Sequence, residues 1–268
     1  MPDKLYLARA ALHHWEEPPI SGTRGSGAVF FSGCPLQCVF CQNDQISRQK
    51  WGKNVTEERL GEIFRELVAQ GAHNINLVSP THYAHILRRV LSAEPPTVPV
   101  VWNTGGYERV ETLRSLEGLV DVYLPDLKYT DPAKAERYSG AADYPEAAKA
   151  AIVEMFRQVG PVRLDENGIL QKGVIIRHLV LPGQLAAAKE VMDWVSETFQ
   201  PGDVLFSLMS QYVPLGRAAE YREINRPLRK AEARSAAEYL SNLGLNGFTQ
   251  ELTAANTQYV PNFDLTGI

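Results

Sequence analysis

Cysteine is nearly missing from the 268-residue chain: Cys34, Cys38 and Cys41 are all it has. Three thiols exclude a fully paired disulfide framework, because one is always left over, and nothing in the chain suggests secretion. No run approaches the roughly eighteen apolar residues that a membrane span needs. The start, Met1-Pro2-Asp3-Lys4, lacks the charged-then-apolar pattern of a signal segment. A cytoplasmic location with no membrane partner is therefore expected. Positive charge is not in excess: 27 Lys and Arg face 31 Asp and Glu, for a formal net charge of -4. That balance argues against broad nucleic-acid affinity, which draws on clustered cations. Internal repeats and low-complexity segments are absent as well.

What is present is concentrated. The three cysteines stand in the run Gly33-Cys34-Pro35-Leu36-Gln37-Cys38-Val39-Phe40-Cys41, a C-x3-C-x2-C spacing within one loop. Three thiolates suffice for three irons of a [4Fe-4S] cube, and the fourth iron is left without a protein ligand. An open iron points to chemistry, whereas four cysteines would close the cluster as an electron carrier. Zinc is the competing metal. It calls for a fourth ligand, and His13, His14, His73, His82, His85 and His178 give no neat local spacing for one. Buried inert cysteine explains single residues better than three in eight.

With 44% hydrophobic residues the chain can bury one sizeable core. One domain spanning 1–268 is expected, with 1–27 as an N-terminal extension and 252–268 as a C-terminal tail. Strand-like runs lie at Ala28–Ser32, Asn74–Val78, Val98–Trp102, Val120–Leu124, Gly173–Leu181 and Val204–Leu208. Between them helical periodicity recurs. Leu60, Ile63, Phe64, Leu67 and Val68 mark a helix over Thr56–Gln70, and Ile152, Met155, Phe156 and Val159 make a second stripe. Leu185, Ala188, Val191, Met192, Val195 and Phe199 make a third. All three read as core faces. Alternation of this kind predicts an α/β fold with a parallel sheet and helices outside it. Functional groups then gather at the carboxyl ends of the strands, and the cysteine loop follows the first strand.

Other groups fall at such ends. Asp126 and Lys128 close the run Asp121–Lys128, and Asn103-Thr104-Gly105-Gly106-Tyr107 follows the third strand, its glycines allowing a ligand close to the backbone. Arg177 interrupts an apolar strand and must meet an anion, because an unpaired inward charge is costly. His178, on the opposite side, is expected to be a satisfied interior or helix-facing histidine. Asp131–Pro145 and Tyr212–Asn225 look like long loops over the mouth. Arg222, Arg226, Arg229, Lys230 and Arg234 flank the second of these, either coating a solvated helix or meeting an acidic protein surface.

The cysteine run resembles the signature of the radical S-adenosylmethionine (SAM) superfamily. Ile20-Ser21-Gly22, Gly25-Ser26-Gly27-Ala28, Gln42-Asn43, Ser79-Pro80-Thr81-His82, Asp126-Leu127-Lys128, Tyr138-Ser139-Gly140-Ala141, Arg177–Gly183 and Gln211-Tyr212 are similar to its PflX-like branch, near pyruvate formate-lyase activating enzyme. The resemblance implies a partial (β/α)6 barrel holding a [4Fe-4S] cluster on Cys34, Cys38 and Cys41. It implies SAM at the open iron, reductive cleavage to a 5′-deoxyadenosyl radical, and hydrogen abstraction. It assigns SAM contacts to Asp126, Lys128, Arg177, Asn103 and Gln211, and Ser79 and Thr81 stand where many relatives carry Gly-Gly-Glu for the SAM amino group. A glycyl radical protein as substrate and flavodoxin or ferredoxin as electron donor follow from the same likeness. Radical chemistry on a small molecule or another polypeptide is a second reading, and a non-catalytic metal-binding module a third. No cysteine remains for an auxiliary cluster.

Overall fold

Residues 2–250 and 261–268 are described in the computed structural model of the chain; of the expected C-terminal tail, 252–260 lie outside the described residues. The order of elements is β1 (Leu5–His13), α1 (Pro18–Ser21), β2 (Ser26–Phe31), α2 (Asp44–Ser47), β3 (Lys53–Val55), α3 (Glu57–Ala69), β4 (Ile75–Val78), α4 (Ala84–Ala93) and β5 (Val100–Thr104). There follow α5 (Val110–Arg114), β6 (Val122–Pro125), α6 (Pro132–Ser139), α7 (Tyr144–Val159), β7 (Arg163–Leu164), β8 (Leu170–Leu179), α8 (Leu185–Thr198), β9 (Leu205–Met209), α9 (Lys230–Leu243) and β10 (Gly247–Gln250).

Seven strands run parallel in the order β10-β9-β8-β6-β5-β4-β2, and β1 then β3 add antiparallel strands beyond β2. The central strands β2, β4, β5 and β6 are buried on both faces, so their residues are mostly apolar and the two faces differ by what they meet. Val29, Phe31, Leu77, Trp102, Tyr123, Val174 and Ile176 pack with the helices. Their neighbours Val101, Val122, Leu124 and Ile175 turn inward and pack with Ile20. By the same alternation Asn76, Asn103, Asp126, Arg177 and Ser207 point into the lumen. This is the expected α/β barrel segment, a mostly parallel sheet with helices on its outer face.

Local chemistry explains the helices that were read and one that was not. Thr56 caps α3 by accepting from Arg59 N at 3.1 Å, and its Leu60, Ile63, Phe64 and Leu67 are buried, at about 1.5–3 kcal/mol each. Within Asp131–Pro145 the expected loop is instead α6 and the start of α7. Asp131 caps α6 through Ala133 N at 2.8 Å, Pro132 opens it and left-handed Gly140 ends it. The Tyr212–Asn225 segment is irregular apart from one tight turn at Ala218–Glu220.

The stretch expected as an N-terminal extension supplies β1, which pairs with β2 from Leu7–Phe31 to His13–Ser26. Residues 263–266 lie against the same strand: Ala10 N donates to Thr266 O at 2.8 Å, and Arg9 pairs with Asp264 at 2.8 Å. The cysteine loop thus follows the first parallel strand, which is the second strand of the chain. Among the described residues no helix is long and apolar enough to cross a membrane.

Candidate functional site

The loop that carries the cysteines is fastened at four backbone points. Gly33 N donates to Ile46 O at 2.8 Å, Gln37 N to Ser139 O at 3.0 Å, and Val39 N to Tyr138 O at 2.9 Å, while Arg217 N donates to Val39 O at 2.7 Å. The carboxyl end of α6 and the segment after β9 therefore hold the loop from two sides. Gly33 sits at φ 96°, and a Cβ there would come within 2.9 Å of His82 Nε2. That His82 nitrogen donates to Ser32 O at 2.8 Å, so His82 braces the loop entrance.

Cys34, Cys38 and Cys41 are all free thiols. Cys38 Sγ lies 3.1 Å from Ser139 Oγ, which itself is 3.0 Å from the buried Tyr129 hydroxyl, and Cys41 Sγ lies 3.3 Å from Ser47 Oγ. Burial pushes the Cys34 thiol up to about 12, with the neighbouring Cys38 adding to it, and burial raises Cys41 too. Burial thus favours the protonated thiols of Cys34 and Cys41, and metal uptake there must release those protons. Among the described residues no three His, Cys, Asp or Glu side chains converge tightly enough to hold a single metal ion. Three thiols from one loop, hydroxyls beside two of them and a lysine nearby make a donor set that fits an iron-sulfur cube and not a four-ligand zinc site.

Facing this loop, four of the expected site residues are drawn together. Arg177 Nε donates to Asp126 Oδ1 at 2.8 Å and Nη2 to Asn103 Oδ1 at 2.7 Å, and Lys128 Nζ donates to Asp126 Oδ2 at 2.5 Å. Burial raises the cost of charging Asp126, but Arg177 and Lys128 outweigh it and hold the carboxyl below its usual range. Burial likewise opposes the charge on Lys128, and Asp126, then Cys38, outweigh it and keep the ammonium protonated.

The remaining positions diverge. Thr81 turns its hydroxyl onto the buried Glu108, 2.6 Å away, where Trp102 Nε1 and Thr104 Oγ1 also donate at 3.0 and 2.7 Å. Ser79 follows β4 at φ 59°, its N–H bonded to Asn103 O at 2.8 Å. Gln211 is half-buried, two residues beyond β9. Gly106 admits the protein's own backbone and not a ligand: a Cβ there would come within 2.1 Å of Asp126 O. His178 is the satisfied, helix-side histidine expected, bonded to Leu127 O at 2.7 Å.

Two groups escaped sequence reasoning. Tyr144, wholly buried at the start of α7, accepts from Lys128 N at 2.9 Å and faces the carbonyls of Asp126 and Gly105 at 2.7 and 3.0 Å. Glu16 and Glu17 enter the lumen and approach Arg177 Nη1 at 3.6 and 4.0 Å. A pair of acids ahead of Pro18-Pro19 was their only trace in the sequence.

Fold and loop together define an α/β barrel protein with three thiols gathered in the loop after its first parallel strand. The radical SAM superfamily model matches residues 28–195, and the chain belongs to that superfamily, whose members use a [4Fe-4S] cluster and SAM. An uncharacterized protein, MJ0674 of Methanocaldococcus jannaschii, is 32% identical over 252 residues, covering 90% of this chain and 68% of its own length. Among solved structures, SuiB of Streptococcus suis bound to S-adenosylmethionine is similar with a TM-score of 0.59 at 17% identity, over 83% of this chain and 50% of the SuiB chain. A radical SAM methyltransferase from Sphaerobacter thermophilus is similar at 0.53 and 15%, over 84% of this chain and 66% of its own. The chain thus spans about half of SuiB, and these two likenesses speak to fold alone.

Proposed function

We propose that the whole chain acts as one radical SAM domain of the PflX-like branch, set in the cytoplasm, that activates a glycyl radical protein by taking a hydrogen atom from a glycine α-carbon. Cys34, Cys38 and Cys41 hold the cluster. When bound, cluster and SAM supply reductive carbon–sulfur cleavage and a carbon radical able to abstract hydrogen. Arg177 orients the SAM carboxylate, and Asp126 with Lys128 takes its amino and ribose groups, Asn103 keeping Arg177 in place. Ser79, Thr81 and Gln211 line the rim, with the Thr81 hydroxyl held by Glu108 unless SAM displaces it.

The observation that carries this reading is the row Lys128, Asp126, Arg177 at adjacent strand ends, with Lys128 close enough to the cysteine loop to feel Cys38. The irregular segment after β9, bonded to the cysteine loop, gives an incoming protein loop a wall to rest on. The absence of further cysteines speaks against reactions that need a second cluster.

Anaerobic reconstitution with iron and sulfide, followed by SAM, a flavodoxin or ferredoxin donor and a candidate glycyl radical protein, tests it. A glycyl radical signal on that protein only in the presence of this chain supports the proposal. SAM cleavage without a radical on any glycyl protein moves the target to a small molecule or another polypeptide. One tightly held colourless zinc with no SAM cleavage makes the chain a binding module and ends the catalytic reading.

A further inference from the structure

Glu16 and Glu17 reach the lumen from the end opposite the cysteine loop. They lie in the connection from β1 to β2, which closes the amino-terminal end of the parallel strands; there Asn74 Nδ2 donates to Ile20 O at 2.8 Å. Ser207 on β9 donates to Glu17 Oε1 at 3.2 Å, and Asn103 Nδ2 on β5 donates to Glu16 Oε1 at 3.2 Å. Two buried groups are left short of partners. Glu17, 2% exposed, accepts no hydrogen bond at Oε2, and Asn76, fully buried, makes none of ordinary geometry at either amide atom, although it lies against the Glu16 carboxyl. An unsatisfied buried polar group is costly, because it gives up its water without gaining a partner. Both lie against the Glu16 carboxyl, Asn76 from β4 and Glu17 from the next position in the chain.

Charge counting gives the same answer. Asp126, Glu16 and Glu17 offer three carboxyl groups, and Arg177 and Lys128 offer two cations. Lys128 is taken by Asp126. Burial, eased by Arg177 and reinforced by Glu16, lifts the Glu17 carboxyl to about 7, so the surplus negative charge is held as a proton near neutrality. An anion arriving at Arg177 from the mouth would draw on the cation that these two glutamates share.

We propose that Glu16, Glu17 and Asn76 form a substrate subsite on the lumen floor for a cationic nitrogen, an ammonium or guanidinium group borne by a small amine or by a lysine or arginine side chain. Such a group donates to Glu17 Oε2 and the Asn76 carbonyl oxygen and brings the missing third positive charge. It enters from the mouth and lies beneath the SAM-binding row, anchoring a substrate whose reacting carbon, a glycine α-carbon in the reading above, is held beside that row. The subsite rests on the reading of the lumen as the place of reaction, and it narrows the substrate class.

Isothermal titration of the reconstituted full chain tests it, with agmatine and an arginine-containing hexapeptide as cationic probes and 1-butanol and acetate as controls; SAM affinity is measured separately. The cationic probes should bind and release a proton near neutral pH, and E17Q and E16Q should each weaken them about tenfold without weakening SAM, because each frees Arg177 for an incoming carboxylate. E17Q is isosteric and removes an acid that burial disfavours, so folding is expected to survive. Preference for agmatine assigns the site to small amines; preference for the peptide assigns it to polypeptides. Cationic probes that fail to bind wild type, or bind E17Q equally well, overturn the subsite. Parallel loss of SAM and probe in E17Q overturns it too, by assigning Glu17 to SAM. A wild type that binds the probes but not SAM contradicts the radical SAM reading instead.

Discussion

Arg177 and Asp126 meet at 2.8 Å between neighbouring strands, in register with a backbone bridge that joins the same two residues. Side chain and main chain thus fix the pair together, and Arg177 also stands between Asp126 and two further carboxyl groups. Replacing it by leucine leaves up to three buried acids without their shared cation. R177L is expected to lower stability by about 3–5 kcal/mol, seen as a drop in the urea midpoint at unchanged slope. R177K should recover only part, because one ammonium cannot serve Asp126 and Asn103 as the planar guanidinium does.

Glu17 makes stability depend on pH in a stated direction. Its carboxyl is raised from 4.5 to about 7 in the folded chain, burial being the main cause. The folded state therefore retains a proton that the unfolded chain gives up. This contribution is complete below 4.5 and is lost as the pH climbs through about 7. Urea melts at about pH 5 and about pH 8 should show wild type weaker at the higher value, with a smaller difference in E17Q. Equal differences in the two proteins would remove Glu17 as the cause.

Tyr144 ties the end of β6 to the glycine turn after β5 by one hydroxyl. In Y144F the Lys128 N–H and two carbonyls lose that partner inside the protein. A loss of about 1–3 kcal/mol is expected. Lys128 and Asp126 should also shift enough to weaken SAM binding, while iron uptake stays intact. An unchanged melting curve would show that water replaces the hydroxyl.

Ser139 offers its hydroxyl to Cys38 at 3.1 Å. A hydrogen bond to a cluster thiolate favours the reduced, more negative state. S139A is expected to bind iron normally and to shift the cluster potential in the negative direction, by up to roughly a tenfold change in the reduction equilibrium, about 59 mV for one electron. Spectroelectrochemical titration of both proteins reads the shift directly; a potential that stays put or moves positive contradicts it.

Six of the seven parallel strands were legible because burial leaves short apolar runs bounded by turns, and each of those six overlaps its expected position; β10, a short edge strand with exposed residues, was not read. β1 was not, since Leu5–His13 mixes exposed and buried residues along an antiparallel border and reads neither as a clean alternation nor as a solid apolar run. α6 was missed because its eight residues carry few apolar positions and its evidence lies in the caps, Asp131 and Gly140. Cys34, Cys38, Cys41, Asp126, Lys128 and Arg177 announce themselves by residue type in unusual places. Thr81 shows the limit of that reasoning. Its position suggested a ligand contact, but the carboxylate that engages it, Glu108, is 27 residues away and was invisible to local pattern. Glu16 and Glu17 illustrate the converse: ordinary acids in a connection become notable only once folding has removed them from water.

The cysteine loop is suspended by peptide N–H and C=O groups at Gly33, Gln37, Val39 and Arg217. Amide bonds of this sort persist whatever side chains their residues carry. Evolution, or an engineer, can accordingly rewrite the exposed letters of α6 and of 212–229 to admit a new client without retuning the position of the metal. The position of the loop is anchored by the main chain, and the side chains around it are left able to vary.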